Sequence, residues 1–313
     1  MRLVLIDKII QLIEYGELMT SVLVTGATGQ QGGAVVARLL KHGHEPVAYV
    51  RDPATPAADA LAAQGIRLAV GDLADREALT RAAKGMDAIF GLTVPFGENG
   101  AAEEIAQGRA LADAAGAAGA HLVYSSVKGA ASGVDFTVEH ASAKQVVHRY
   151  LIEQGTTFTS VQPAYFMENA LNVGLTRLNQ GVYAFPLSPD RKLDQVSVLD
   201  IAGMAVHAIE NPAKLYGRAI DVVSDSVTTL EAARFLSEAI GSPVPYENIP
   251  IPMIRQWAGD DIADMFQSFE DNRAHTDIAA LHAEFPEVGW HSYLAWAQTV
   301  DWDQVLAQQP SWG

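Results

Sequence analysis

Residues 22–33 read VLVTGATGQQGG, and the reading of this stretch decides the fold. The run 22–25 is mostly β-branched and predicts a short strand. Gly26, Gly29 and Gly32 follow at three-residue spacing, and an amphipathic helical pattern begins behind them. A strand, a glycine-rich turn and a helix in that order form the start of a β–α–β unit. The geometry suits a dinucleotide. The tight turn and missing side chains let the backbone approach a pyrophosphate, and the helix N-terminus offers free N–H groups with a partial positive charge. A glycine loop that only packs a helix close to a strand is the alternative.

Outward from this stretch, strand and helix patterns alternate up to about residue 162. Strands are expected at 22–25, 46–50, 66–70, 88–92, 121–125 and 158–162. Helices are expected at 34–41, 57–64, 75–83, 102–118 and 140–154. Such alternation implies a parallel sheet covered by helices on both faces. Right-handed crossovers make it an α/β, doubly wound Rossmann fold, with its ligand at the carboxyl ends of the strands. After Pro163 prolines punctuate shorter elements, which predicts a smaller C-terminal α/β lobe. Thr228-Thr229-Leu230-Glu231 is a capping-box signature that opens a helix to about Ile240. Asp200 is expected to cap a helix that stops before Asn211-Pro212. The predicted organisation is an extension at 1–20, a nucleotide-binding domain at 21–162 and a lobe at 163–313. Segments near 195–223 are expected to return to the main sheet.

Composition narrows the function. A chain of 313 residues can bury a sizeable core, and 49% hydrophobic residues mark it as globular. A formal net charge of −16 argues against nucleic acid, whose phosphates call for clustered Lys and Arg, and against an anionic membrane surface. There is no cysteine, which excludes disulfides, thiolate catalysis and Cys-ligated zinc. The nine His residues form no His-x-x-x-His pair with a Glu base, and no Gly-x-Ser-x-Gly elbow is present, so no metal is expected. The five tryptophans are read as lobe packing. Residues 1–18 show helical apolar spacing broken by Asp7 and Lys8, and they are neither a convincing signal peptide nor a membrane span. They read as a misassigned start before Met19 or as an added helix. The expected location is the cytoplasm.

Arg51 directly follows the second strand, where NAD-binding folds usually carry an acid for the ribose hydroxyls. A cation there suits a 2′-phosphate and favours NADP(H), unless Arg51 is only a solvated loop residue. Asp72, with Leu73 beside it, follows the third strand. It could accept from an adenine amino group or cap a helix.

These residues, together with Arg51-Asp52-Pro53 and the segment Pro163-Ala164-Tyr165-Phe166-Met167-Glu168-Asn169, resemble the NmrA-like family of atypical short-chain dehydrogenases. The similarity runs from residue 21 over most of the chain, and is nearest to members regarded as NADPH sensors. It implies a Rossmann domain with a small C-terminal lobe that binds NADP(H) or NAD(P). It implies cofactor contacts at Gly26, Ala27, Thr28, Gly29, Gln30 and Gln31, at Arg51, Asp72, Thr93 and Lys144, and at Ala164, Tyr165 and Phe166. Many members carry a second basic residue shortly after the arginine; this chain has Thr55 in that neighbourhood.

Ordinary short-chain dehydrogenases place Tyr-x-x-x-Lys on the helix before the sixth strand. The lysine holds the nicotinamide ribose and the tyrosine handles the proton. Here the pair reads His140 and Lys144, on one helix face. Imidazole can serve as a general acid near neutral pH, yet the sensor-like members also have His there. Ser125 and Ser126 end the fifth strand, where they orient substrate or cap the strand. Tyr165 is either a wall of the nicotinamide pocket or an alternative acid. Two functions remain open. One is an NADPH-dependent reductase of a small apolar electrophile such as a quinone or conjugated carbonyl. The other is a non-catalytic NADPH/NADP+ sensor acting through a protein partner. A homodimer is compatible with either.

Overall fold

The computed structural model describes residues 19–308 apart from 96, 98, 134, 135, 137, 273 and 274. The segment 1–18 and Trp312 lie outside the described residues. Strands β1 (Ser21–Thr25), β2 (Glu45–Val50), β3 (Arg67–Val70), β4 (Ala88–Leu92), β5 (His121–Ser125) and β6 (Phe158–Pro163) alternate with helices. These are α1 (Gln30–Lys41), α2 (Pro56–Ala63), α3 (Arg76–Ala83), α4 (Gly100–Ala118) and α5 (Glu139–Glu153). A seventh strand joins them from the later chain, Ala219–Val222, called β10 below. The sheet order is β10-β6-β5-β4-β1-β2-β3, and every pairing is parallel. The chain leaves β1 in one direction and returns at β4 on its other side. That reversal is the topological switch point, where open α/β sheets bind ligands.

The strands are apolar on both faces because both faces are covered. Val22 and Val24 pack with Val35, Val36 and Leu39 of α1 on one side, while Leu23 and Ile89 pack with Leu79 and Leu111 on the other. All are essentially inaccessible to water. Each such aliphatic side chain contributes about 1.5–3 kcal/mol of burial.

Beyond β6 the chain forms β7 (Tyr165–Phe166), β8 (Tyr183–Phe185), β9 (Lys192–Val196), α6 (Val198–Glu210), β10 (Ala219–Val222), β11 (Asp225–Thr228), α7 (Thr229–Ile240), β12 (Tyr246–Asn248), α8 (Ile251–Ala258) and α9 (Asp260–Asp271). Strands β11-β9-β7 make a small sheet, and β12-β8 a pair. Their core includes Phe185, Leu236, Phe266, Tyr293 and Trp296. Of the segments expected back at the main sheet, β10 becomes its edge strand. Helix α6 packs over the sheet against α1, whereas Gln195 stays in the small sheet.

Several boundaries differ from the sequence reading. Helix α1 begins at Gln30, a turn earlier than 34, because Gly32 and Gly33 lie within the helix. Asp200 does not cap α6. Ser197 does, accepting from the Leu199 N–H at 3.2 Å. Asp200 is fully buried one turn in, where it accepts from the Ser224 hydroxyl and from the backbone N–H and Nδ1 of His291. The capping box at Thr228 and Glu231 is present in both directions. Among the tryptophans, Trp296 and Trp302 are core residues. Trp257 is exposed on α8, and Trp290 stacks on His282 against the core shared by α1 and α6.

Candidate active site

The site starts where β1 and β4 end side by side. The Thr25 hydroxyl donates to the Leu92 carbonyl at 3.2 Å and accepts from the Leu92 N–H at 2.9 Å, pinning the two strand ends together. Gly26 then turns at φ +62°, which disfavours any side chain. Gly32 is required by packing, since a Cβ there would lie 2.1 Å from the Gly26 carbonyl oxygen.

Gly29 differs from both. Its φ is −96°, and a Cβ would meet nothing closer than that same oxygen at 3.4 Å. The protein's own packing does not demand glycine there, so the open face above the turn is available to a bound group. Gly29 caps α1 without a side-chain hydrogen bond, and the first turn of α1 has no acid. Its leading N–H groups and positive dipole end therefore stay uncompensated. Thr28, Gly29 and Gln30 are exposed, and Ala27 is buried beneath them. Gln31 reaches across to β5, its Oε1 accepting from the Ser125 hydroxyl at 2.7 Å. Ser125 is thereby engaged by the glycine-loop side, and the buried Ser126 hydroxyl has no hydrogen-bond partner among the described residues.

Arg51, at the end of β2, is exposed and makes no ion pair among the described residues. The next residues are used locally. Asp52 accepts from the Ala54 N–H at 2.8 Å, and Thr55 caps α2 by accepting from the Ala58 N–H at 3.2 Å. Thr55 is thus engaged as a helix cap. Asp72 is exposed after β3. One of its oxygens closes a turn on the Ala74 N–H at 2.8 Å, and the cap of α3 is Asp75, so Asp72 is not the helix cap. Leu73 is buried beside it.

Thr93 follows β4 and meets Lys144 of α5. The ammonium donates to the Thr93 hydroxyl at 2.6 Å and lies 2.9 Å from Oε1 of Glu104 on α4. Thr93 in turn donates to the same Glu104 oxygen at 2.8 Å. All three are buried, and Lys144 Nζ stands 5.7 Å from the Tyr124 ring centroid. Burial pushes the Tyr124 phenol up from its ordinary value.

One turn earlier on α5, His140 Nδ1 lies 2.5 Å from Asp261 Oδ2 of α9, while Asp261 Oδ1 accepts from the Glu139 N–H at 2.6 Å. The imidazole is thus held from across the C-terminal lobe by a carboxylate that also caps the start of α5. Such a contact fixes ring orientation. Ala164 is buried, and the two residues after it diverge. Phe166 packs toward the α1–α6 core. The Tyr165 ring packs against Phe185, Phe266 and Phe269 at centroid distances of 5.7, 6.0 and 6.0 Å. Desolvation pushes the Tyr165 phenol well above its ordinary range, against a hydrogen bond with Asn169. That makes it a weaker acid than a solvated tyrosine.

Sequence reasoning missed Glu104 and Asp261. Glu104 carried a signal, for it shares the buried stripe of α4 with Gln107, Gly108 and Leu111 at helical spacing. Asp261 lies on the acidic first turn of an amphipathic helix and carried none.

The NmrA-like family model matches residues 19–301. The chain is 34% identical over 240 residues to the NAD(P)H azoreductase of Xenophilus azovorans, covering 75% of this chain and 79% of that protein. It is 32% identical over 233 residues to quinone oxidoreductase 2 of Escherichia coli K12, covering 73% and 77%. The crystal structure of the NADPH-dependent quinone oxidoreductase from Escherichia coli, complexed with NADPH, superposes with a TM-score of 0.73 at 25% identity. That match covers 89% of this chain and 99% of the other. On its sequence, its sheet order and these matches, the chain belongs to the NmrA-like family.

Proposed function

We propose that this protein is an NADPH-dependent reductase of a small apolar electrophile, a quinone or conjugated carbonyl. The observation that carries the reading is the N-terminus of α1, capped by Gly29 with no side-chain hydrogen bond, with the exposed Arg51 at the end of the next strand. Together they match a dinucleotide pyrophosphate and a 2′-phosphate. Two reductases among the relatives support the class of reaction. Bound NADPH would supply the hydride.

The chain's own residues would do the rest. The α1 N–H groups and the glycine backbone hold the pyrophosphate. Arg51 offers a planar cation to the 2′-phosphate. Lys144 offers an N–H to the nicotinamide ribose from its anchored position. His140, oriented by Asp261, holds the proton that must accompany hydride transfer. Tyr165 and Phe269, partly exposed over the buried Phe185 and Phe266, would give a flat, weakly polar acceptor an apolar wall.

The test is NADPH consumption by the purified protein against a panel of quinones and enones, with Lys144→Ala as control. Turnover that vanishes in the variant supports the reductase. No turnover, with tight NADPH binding in the same preparation, favours the non-catalytic sensor.

A further inference from the structure

We propose that Glu104 is a positioning residue, holding the Lys144 ammonium at the floor of the dinucleotide site so that its remaining N–H is turned to the cofactor. The inference rests on the reading that this site takes a dinucleotide. An ammonium has three donors. Two are committed, to Glu104 Oε1 and to Thr93 Oγ1. Glu104 is wholly inaccessible, while the Lys144 side chain keeps 10% of its surface, so the lysine lies between the carboxylate and solvent.

The place is right for a ligand. Thr93 directly follows Leu92, which is bonded to Thr25 and whose side chain lies against Gly26. Thr93 is itself held in register, because Gln107 of α4 accepts from the Val94 N–H at 2.9 Å. The cluster therefore sits beside the glycine turn and on the switch point of the sheet.

A purely structural role accounts poorly for Glu104. Its Oε2 has no hydrogen-bond partner among the described residues, and the rest of the buried stripe of α4 is largely Ala, Gly and Leu. A buried carboxylate with one unsatisfied oxygen is a poor stabiliser, and apolar replacements of buried ion pairs are often neutral or stabilising. The pair does provide a fixed cation in a site that must orient a ribose.

The test is a double-substitution cycle on NADPH affinity, by equilibrium titration of the purified chain, with thermal melting of the cofactor-free proteins alongside. Glu104→Gln keeps the shape and removes the charge. It is expected to weaken NADPH binding by about tenfold, and also to lower the melting temperature, because the Lys144 ammonium stays buried without its counter-charge; affinity is therefore read at a temperature where the variant is folded. Lys144→Met weakens binding at least as much. Glu104→Gln added to Lys144→Met has no further effect, because the group it acts through is gone. Should Glu104→Gln fail to fold, Glu104→Met is read by the same cycle. Unchanged affinity in the Glu104 variant, or losses that simply add in the double variant, overturns the inference. A wild-type chain that binds no NADPH overturns the dinucleotide reading itself.

Discussion

His140 reaches its partner through Nδ1, and that bond comes from a different lobe. If His140 handles the proton, His140→Gln lowers kcat with quinone by about 100-fold or more, the usual contribution of general acid catalysis. Asp261→Asn keeps the imidazole but loosens its aim, so it should lower kcat less, by roughly tenfold, with NADPH affinity unchanged. Steady-state kinetics on both variants checks this; equal kcat in His140→Gln and wild type removes His140 from the chemistry. The residue scale is also where the sequence was least informative. His140 and Lys144 were legible as a pair because helical spacing puts them on one face. Asp261, 121 positions away, was not, because only the tertiary fold brings it there. Glu104 was legible only through its helical spacing with Gln107, Gly108 and Leu111, and that signal is weak because a carboxylate normally marks the solvent face.

At the scale of elements, the glycine loop separates folding from binding. A methyl at Gly32 collides with the Gly26 carbonyl and must push α1 off β1. Gly32→Ala should therefore destabilise by about 3 kcal/mol, at the upper end for overpacking. Gly29→Ala meets only ordinary contacts and should melt like wild type while binding NADPH more weakly. Chemical denaturation and titration of the two variants check the contrast; equal loss of stability in both would show that Gly29 too is held by packing. The strands were readable: β4 and β5 begin and end at the expected residues, because a run apolar on both faces has one interpretation in a covered parallel sheet. The start of α1 was not, since paired glycines read locally as a turn and become helical only through their approach to β1. Asp200 misled for a related reason. Local pattern marked a cap, yet distant Ser224 and His291 claim the carboxylate.

For the molecule as a whole, stability should depend on pH from two sides. The Asp200 hydrogen bond raises the pKa of His291, so folding favours its protonated form. That stabilisation is complete below the unfolded value near 6.5 and is lost as pH rises through the raised folded value. His291→Asn should flatten the fall in melting temperature on the alkaline side of 6.5. His121 is opposite. Burial lowers its pKa to about 4, so stability is full above 6.5 and drops as pH falls toward 4, by on the order of 3 kcal/mol. His121→Asn should remove that part of the acid loss, and melting curves across pH with both variants check the two signs. Among the described residues no helix is long and apolar enough to cross a membrane, and no cluster of three His, Asp or Glu side chains is arranged to hold a metal ion. The proposed preference of this fold for NADPH is open to direct measurement, by titrating wild type and Arg51→Ala with NADPH and with NADH. Saturable binding of one dinucleotide per chain is expected, tighter for NADPH, with Arg51→Ala weakening NADPH by about 10-fold or more and NADH hardly at all. Equal affinity for the two cofactors in wild type, or equal loss of both in the variant, would contradict it.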